Sequence, residues 1–431
     1  MTRLSPWSLT GVSLLGVLGG CSRAQPTFVL SPTVQVVAAD ETIQNPALAV
    51  DPVRNRVYVA WSVYPKEDEG TDYLAVSNDG GRTFGSPIRF GERSEAQQPR
   101  LRVTTDGTLF LIWTHRNPHD LLDPKDASSY TTEQRLATSA DGGRTLSPPI
   151  VVSGKPEVPV AYFMAAAVNP NAKDLSVAWY DYTPPGARPG RSPADLRDAT
   201  AIYATTSHDG GRTFSRPQKL ADTICVCCTA TGIVRQDHPA FVLRGFVAGA
   251  GTVADVRDPI ILGSTDRGDH WNPPVTIHRD NFRLNACPHL GPGATVDATG
   301  RVHVTWWTGA AGRAGYWYAS SGDGIHFSTP AKLVDETTDM HGNDLSVAVD
   351  GENTAWAIAV SRPRSPSDSD EETPLGLIRL WAIARDGRPA PVDQLDARGS
   401  HPVVGAAEQG AILIWTEGKK ILLQRISRER G

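Results

Sequence analysis

One short segment governs what this chain can become, because it returns in register along most of the length. Its copies are Ser77 to Phe84 (SNDGGRTF), Ser139 to Leu146 (SADGGRTL), Ser207 to Phe214 (SHDGGRTF) and Ser264 to Trp271 (STDRGDHW), with a shorter copy at Ser321 to Phe327. A period of about 60 residues is the length of one small antiparallel sheet, so the chain reads as sheets laid side by side. In each copy the Asp side chain can cap backbone N–H groups, the glycines can take positive φ, and the closing aromatic can pack between neighbouring sheets. Around each copy the pattern repeats: an apolar strand, a short turn, a strand ending in Trp (Val57 to Trp61, Leu109 to Trp113, Val302 to Trp306), a variable loop, a third strand, the turn and a closing strand. A sixth unit, His341 to Leu395, keeps only Ala384-Arg385-Asp386-Gly387 where the turn belongs. The seventh has three strands, and Ser31 to Val37 matches the closing strand that it lacks. The expected class is all-β, with four-stranded antiparallel sheets in a ring closed by strands from both ends, which removes exposed edges. The count is seven, and six with an irregular end is the alternative. The 40 Gly and 33 Pro suit many short strands joined by tight turns.

The recurring segment resembles the Asp-box, or BNR, repeat S-x-D-x-G-x-T-[WF] of sialidase-like β-propellers. A second stretch is shared with a group of bacterial Asp-box proteins: Cys225-Val226-Cys227-Cys228-Thr229, then Val256-Arg257-Asp258-Pro259, then Ala286-Cys287-Pro288 and Gly291-Pro292. The resemblance implies a propeller in which the Asp boxes are structural turns.

The first residues carry a separate message. Arg3 precedes the apolar run Trp7 to Leu18, which is too short to span a bilayer, and Leu18-Gly19-Gly20-Cys21 follows at once. This arrangement resembles a bacterial lipoprotein signal with its lipobox. It implies a signal peptide over 1–20, a lipidated tether over 21–27 beginning at Cys21, and a single propeller over 28–431. The expected location is the periplasmic face of an outer membrane or the cell surface, with the membrane as a partner through Cys21. A formal charge of -5 offers no basic footprint for nucleic acid, and a monomer is expected.

The strand order places the boxes on one face, so the opposite face carries the start of each first strand and the long loops Arg116 to Gln134, Asp181 to Thr200, Arg244 to Arg257 and Arg362 to Pro374. Aligned at the start of the first strand, the repeats present Asn45, Gln98, Phe163, Cys228, Cys287, His341 and His401, which should ring the mouth of a central channel. Cys225, Cys227, Cys228, Cys287, His341 and His401 are soft or borderline metal-ligand types, and copper or zinc would suit them. In an oxidising compartment the same cysteines would form disulfides, with Cys228 to Cys287 the natural cross-blade pair. Both readings stay open.

Membership among the sialidases proper would imply three arginines gripping a carboxylate, a Tyr nucleophile activated by a Glu, and an Asp as acid/base. The N-terminal Arg-Ile-Pro signature is absent, and Gln98-Pro99-Arg100-Leu101 is a faint echo of it. Arg100, Tyr180, Asp181, Arg257 and Asp258 can be named as catalytic candidates, but no Tyr and Glu pair can. The leading expectation is a binding propeller for a glycan, a protein or a metal, and an exo-sialidase-like glycoside hydrolase is the alternative.

Overall fold

The computed structural model describes residues 27–64, 70–91, 96–121, 130–153, 161–181, 201–222, 224–225, 228–245, 255–284, 290–334, 345–361 and 375–429. Five four-stranded antiparallel blades follow one another along the chain. The first comprises Thr42–Asp51, Arg56–Tyr64, Thr71–Ser77 and Ile88–Phe90, and the second Ala96–Val103, Leu109–Leu121, Tyr130–Ser139 and Ile150–Val151. The third is built from Ala161–Val168, Leu175–Asp181, Ala201–Ser207 and Gln218–Asp222. The fourth uses Thr231–Arg235, His238–Arg244, Pro259–Gly263 and Val275–Thr276, and the fifth Gly293–Val296, Val302–Thr308, Gly315–Ser321 and Ala331–Val334. A small ribbon pairs Asp255–Val256 with Arg283–Leu284.

The rest of the ring departs from the expected count. Five separate blades are present instead of seven or six, because the remaining strands join in one nine-stranded sheet. Its first half runs from Leu345–Val349 to Pro389–Pro391 and its second from Arg398–Ala406 to Lys420–Arg428. The halves fuse where Gly376 faces Gly399 and Leu377 faces Arg398. Gly399 is also pressed against the next strand of its own half, where a Cβ would lie 2.3 Å from the Thr416 carbonyl oxygen.

Apolar layers between successive sheets hold the ring together. Strands buried on both faces read as continuous hydrophobic runs, and the second strand of each blade is of that kind. Val57, Val59 and Trp61 meet Ile412, Ile414 and Leu423, while Phe110 and Ile112 meet Val177 and Trp179. Trp61, Trp113, Trp179 and Trp306 are all buried, each filling the gap beside its own sheet.

Closure comes from the N-terminal segment. Phe28–Leu30 pairs antiparallel with Ile426 to Arg428, and Val34–Ala38 pairs with Lys420 to Leu423. Gln424 donates its side-chain amide to the Ser31 carbonyl at 2.8 Å.

The Asp boxes share one hydrogen-bond plan. Asp79 Oδ1 accepts the backbone N–H of Arg82 and Thr83, Asp79 Oδ2 accepts the Thr83 hydroxyl at 2.6 Å, and the Ser77 hydroxyl accepts the Gly81 N–H. Asp141, Asp209, Asp266 and Asp323 repeat it, with His270 and His326 standing where the other boxes have Thr. These donors hold the box carboxyls below the usual range, Asp266 at about 2. The boxes lie with the turns between first and second strands, where Arg54 donates to the Thr105 carbonyl and Asn169 to Asp237 of the next repeats.

Candidate functional site

The inner strands of all five blades and of both halves of the nine-stranded sheet line one central channel of about 390 Å³. The strands come close together here: a Cβ on Gly232 would lie 2.3 Å from the Ala166 carbonyl oxygen. At the start of three inner strands the backbone is kinked in the same way. Asn45, Gln98 and His401 hold φ of 50°, 54° and 52°, each directly before a proline, and in all three strands the pairing register slips at that point. Left-handed backbone is uncommon outside glycine, and a following proline restricts it further, so three matched kinks at one rim mark a built feature. Of the positions aligned in the sequence, Asn45 and His401 line the channel and Gln98 shares their kink, whereas Cys228 is buried against Cys225 and is not among the lining residues.

The channel walls are otherwise apolar or neutral, with two exceptions from the second blade. Arg100 and Arg102 stand two apart on Ala96–Val103, hence on the same side of the strand, and both line the channel together with Asn45, Thr231, Ser346 and His401. Arg102 reaches past the third blade to donate to the Gly232 carbonyl at 3.3 Å and also donates to the Leu101 carbonyl at 2.8 Å. Arg100 donates to the Pro99 carbonyl. No Asp or Glu is among the described residues that line the channel. Burial, and then the neighbouring Arg102, lower the Arg100 guanidinium to about 10, and burial lowers Arg102 in the same direction. Two guanidiniums on one side of one strand give the channel a positive field.

The other candidates fall in different places. Arg257 and Asp258 lie buried ahead of Pro259–Gly263, and both Asp258 oxygens accept backbone N–H groups, from Asn281 at 3.2 Å and Phe282 at 3.1 Å. Burial raises the Asp258 carboxyl, and those two donors oppose the rise. Beside them Arg244, 0% exposed, spends its guanidinium on the carbonyls of Leu290, Arg257 and Trp307, tying the fourth blade to the fifth. Tyr180 is sealed in the apolar layer between the third and fourth blades. Asp181 ends Leu175–Asp181, and its side chain lies outside the described residues.

Of the soft-ligand set, Cys225 and Cys228 come together with Sγ atoms 3.2 Å apart, and His401 stands at the channel rim with Nδ1 3.4 Å from the Thr416 hydroxyl. Cys227, Cys287 and His341 lie outside the described residues. Among the described residues no three His, Cys, Asp or Glu side chains are grouped to hold a metal. Arg102 and the x-Pro kinks escaped the sequence reading. The available signals were the repeated Asn-Pro, Gln-Pro and His-Pro at equivalent strand starts, and the Arg-Leu-Arg alternation inside an otherwise apolar strand.

The fold and this channel define a β-propeller of four-stranded antiparallel blades with Asp-box turns on one face and a cationic axis. No protein family model matches the chain, and no curated protein matches it. Solved structures do. A protein of unknown function from Dyadobacter fermentans superposes with a TM-score of 0.53 at 13% identity, covering 93% of this chain and 99% of that one. Virginiamycin B lyase from Staphylococcus aureus gives 0.54 at 10% identity, with 93% and 99% covered. An ulvan lyase of a polysaccharide lyase family, bound to a glucuronate and sulfated rhamnose unit, gives 0.52 at 14% identity, with 90% and 95% covered. At these identities the likeness is one of fold.

Proposed function

We propose that the chain is an exported, membrane-anchored binding propeller whose ligand is an acidic glycan seated over the central channel. The observation that carries this reading is the pair Arg100 and Arg102 lining a channel with no Asp or Glu among its described lining residues. Guanidinium groups offer planar, paired donors that suit carboxylates and sulfates, and a partly dry site strengthens each contact. The ulvan lyase of similar fold is described with a saccharide carrying both groups, which supports the choice of acidic over neutral sugars. The test is calorimetric titration with an oligogalacturonate and with a neutral oligosaccharide of the same length. Arg100→Gln and Arg102→Gln should each weaken the acidic ligand by about 10- to 100-fold, the scale of a lost charge-assisted hydrogen bond. Equal affinity for the neutral sugar, or unchanged affinity in both variants, would overturn the proposal.

Anchoring through Cys21 belongs to the same reading. It rests on the position of Cys21 directly after the apolar run and Leu18-Gly19-Gly20. Cys21→Ser should leave the chain unprocessed or released from membranes, and a variant that fractionates with membranes as the parent does would rule out lipidation at this residue.

A further inference from the structure

We propose that Cys225 and Cys228 are a redox pair that closes a disulfide across the turn opening the fourth blade. The two sulfur atoms lie 3.2 Å apart, in contact but short of bonding, and both side chains are buried, at 1% and 0% exposure. A disulfide needs about 2.05 Å, so a shift of about 1 Å shared between two side chains joins them. The backbone is already folded for it: the Cys228 N–H donates to the Cys225 carbonyl at 3.3 Å, and the Cys225 N–H donates to the Arg244 carbonyl at 3.1 Å. Ile224 forms a bridge with Gly245, so the first cysteine is pinned to the end of the blade's second strand. The spacing of the pair, Cys-x-x-Cys, is the one in which one thiol can readily attack a disulfide formed on the other.

The reaction balances with a small-molecule disulfide as oxidant. One cysteine thiolate attacks that disulfide and expels one thiol, and the second cysteine then attacks the mixed disulfide and expels the other. The protein loses two protons and two electrons, and the oxidant leaves as two thiols. The bond fixes the chain immediately before Thr229, Thr231 and Gly232, which form one wall of the channel and include the carbonyl that Arg102 holds. Oxidation would therefore stiffen that wall whatever the channel binds. This pairing also differs from the cross-blade bond between Cys228 and Cys287 that the sequence suggests.

The full chain, fully reduced, is treated with oxidised glutathione, its remaining thiols are alkylated, and its tryptic peptides are mapped by mass. The peptide from Leu220 to Arg235 should be lighter by two hydrogens and carry one alkyl group, on Cys227, with fragmentation placing the link between Cys225 and Cys228. Cys227→Ser and Cys287→Ser should keep the link, and Cys225→Ser should abolish it. The melting midpoint should rise by about 2–4 °C on oxidation, and only when both cysteines are present. A link from either cysteine to Cys227 or Cys287, or alkylation of both after oxidation, overturns the proposal. The mapping of the parent protein decides this even where a variant fails to fold.

Discussion

A chain that begins at Ala39 should fail to hold its ring, with a melting midpoint at least about 10 °C below that of a chain beginning at Thr27. The missing segment supplies two strands against Lys420–Arg428 and buries Phe28 and Val36, each at 9% exposure or less. Burying two such side chains contributes about 1.5–3 kcal/mol each, and the lost backbone pairings add about 0.5–1.5 kcal/mol apiece. Over the seven paired positions the gross loss is about 7–16 kcal/mol. The entropy regained by the freed segment leaves a net loss of several kcal/mol, a large part of the roughly 5–15 kcal/mol that stabilises a typical domain. The edge laid bare would also expose Leu423 and Ile426, an apolar strand open to pairing with a second chain. Differential scanning calorimetry of the two chains decides the matter, and coincident midpoints would show that the second half of the nine-stranded sheet is sufficient without its outer strands.

The second large effect lies in the first blade. Asp72 is completely buried, and its carboxylate accepts the Ser62 hydroxyl at 2.6 Å, while Oδ2 has no hydrogen-bond partner among the described residues. Burial pushes this carboxyl up to about 7 from the ordinary 3.8, with the Ser62 hydroxyl opposing. The folded protein therefore holds a proton that the unfolded chain releases. The stabilisation from that proton is complete below pH 4 and is lost as pH rises to about 7, a span worth roughly 4 kcal/mol. Asp72→Asn removes the titration. Urea unfolding should show the parent losing stability between pH 4.5 and 7.5 while the variant stays nearly level, so that above pH 7 the variant is the more stable by a few kcal/mol. Parallel pH profiles would show that Asp72 ionises without cost, through groups that solvate it in the fold. His208, raised by its hydrogen bond to Asp174, and His303, lowered by burial, titrate in both proteins and so cancel in the comparison.

Much of this architecture was legible because its signals are local. The Ser-x-Asp turns, the Trp-ended second strands and the alternation between them each lie within one repeat, and the match of Ser31 to Val37 to the closing strands pointed to where the ring joins. The fusion of the last two units was not legible, since it rests on a short backbone pairing of Gly376 and Leu377 with Gly399 and Arg398 that no pattern within either repeat declares. The cationic channel was half visible. Arg100 stood out as an echo of an arginine signature, but Arg102 looked like an ordinary strand residue until its reach to Gly232 was seen. The sequence put Cys228 in the ring with Cys287 as its natural disulfide partner, or both with Cys225 as metal ligands, whereas a turn of backbone sets Cys225 and Cys228 against each other.

The joining of both ends in one sheet also bears on how the molecule is assembled. Glu429 N–H reaches the Thr27 carbonyl at 2.9 Å, so the first and last described residues of the ring are neighbours. Each inner blade can nucleate from contacts within its own 60 or so residues, whereas the last sheet must wait for partners nearly the whole chain apart. During synthesis the strands Phe28–Leu30 and Val34–Ala38 therefore emerge ahead of the blades and find their place last. Until Lys420–Arg428 arrives, the propeller is an open arc with apolar strands at both ends, and that interval is when it is most exposed to mispairing.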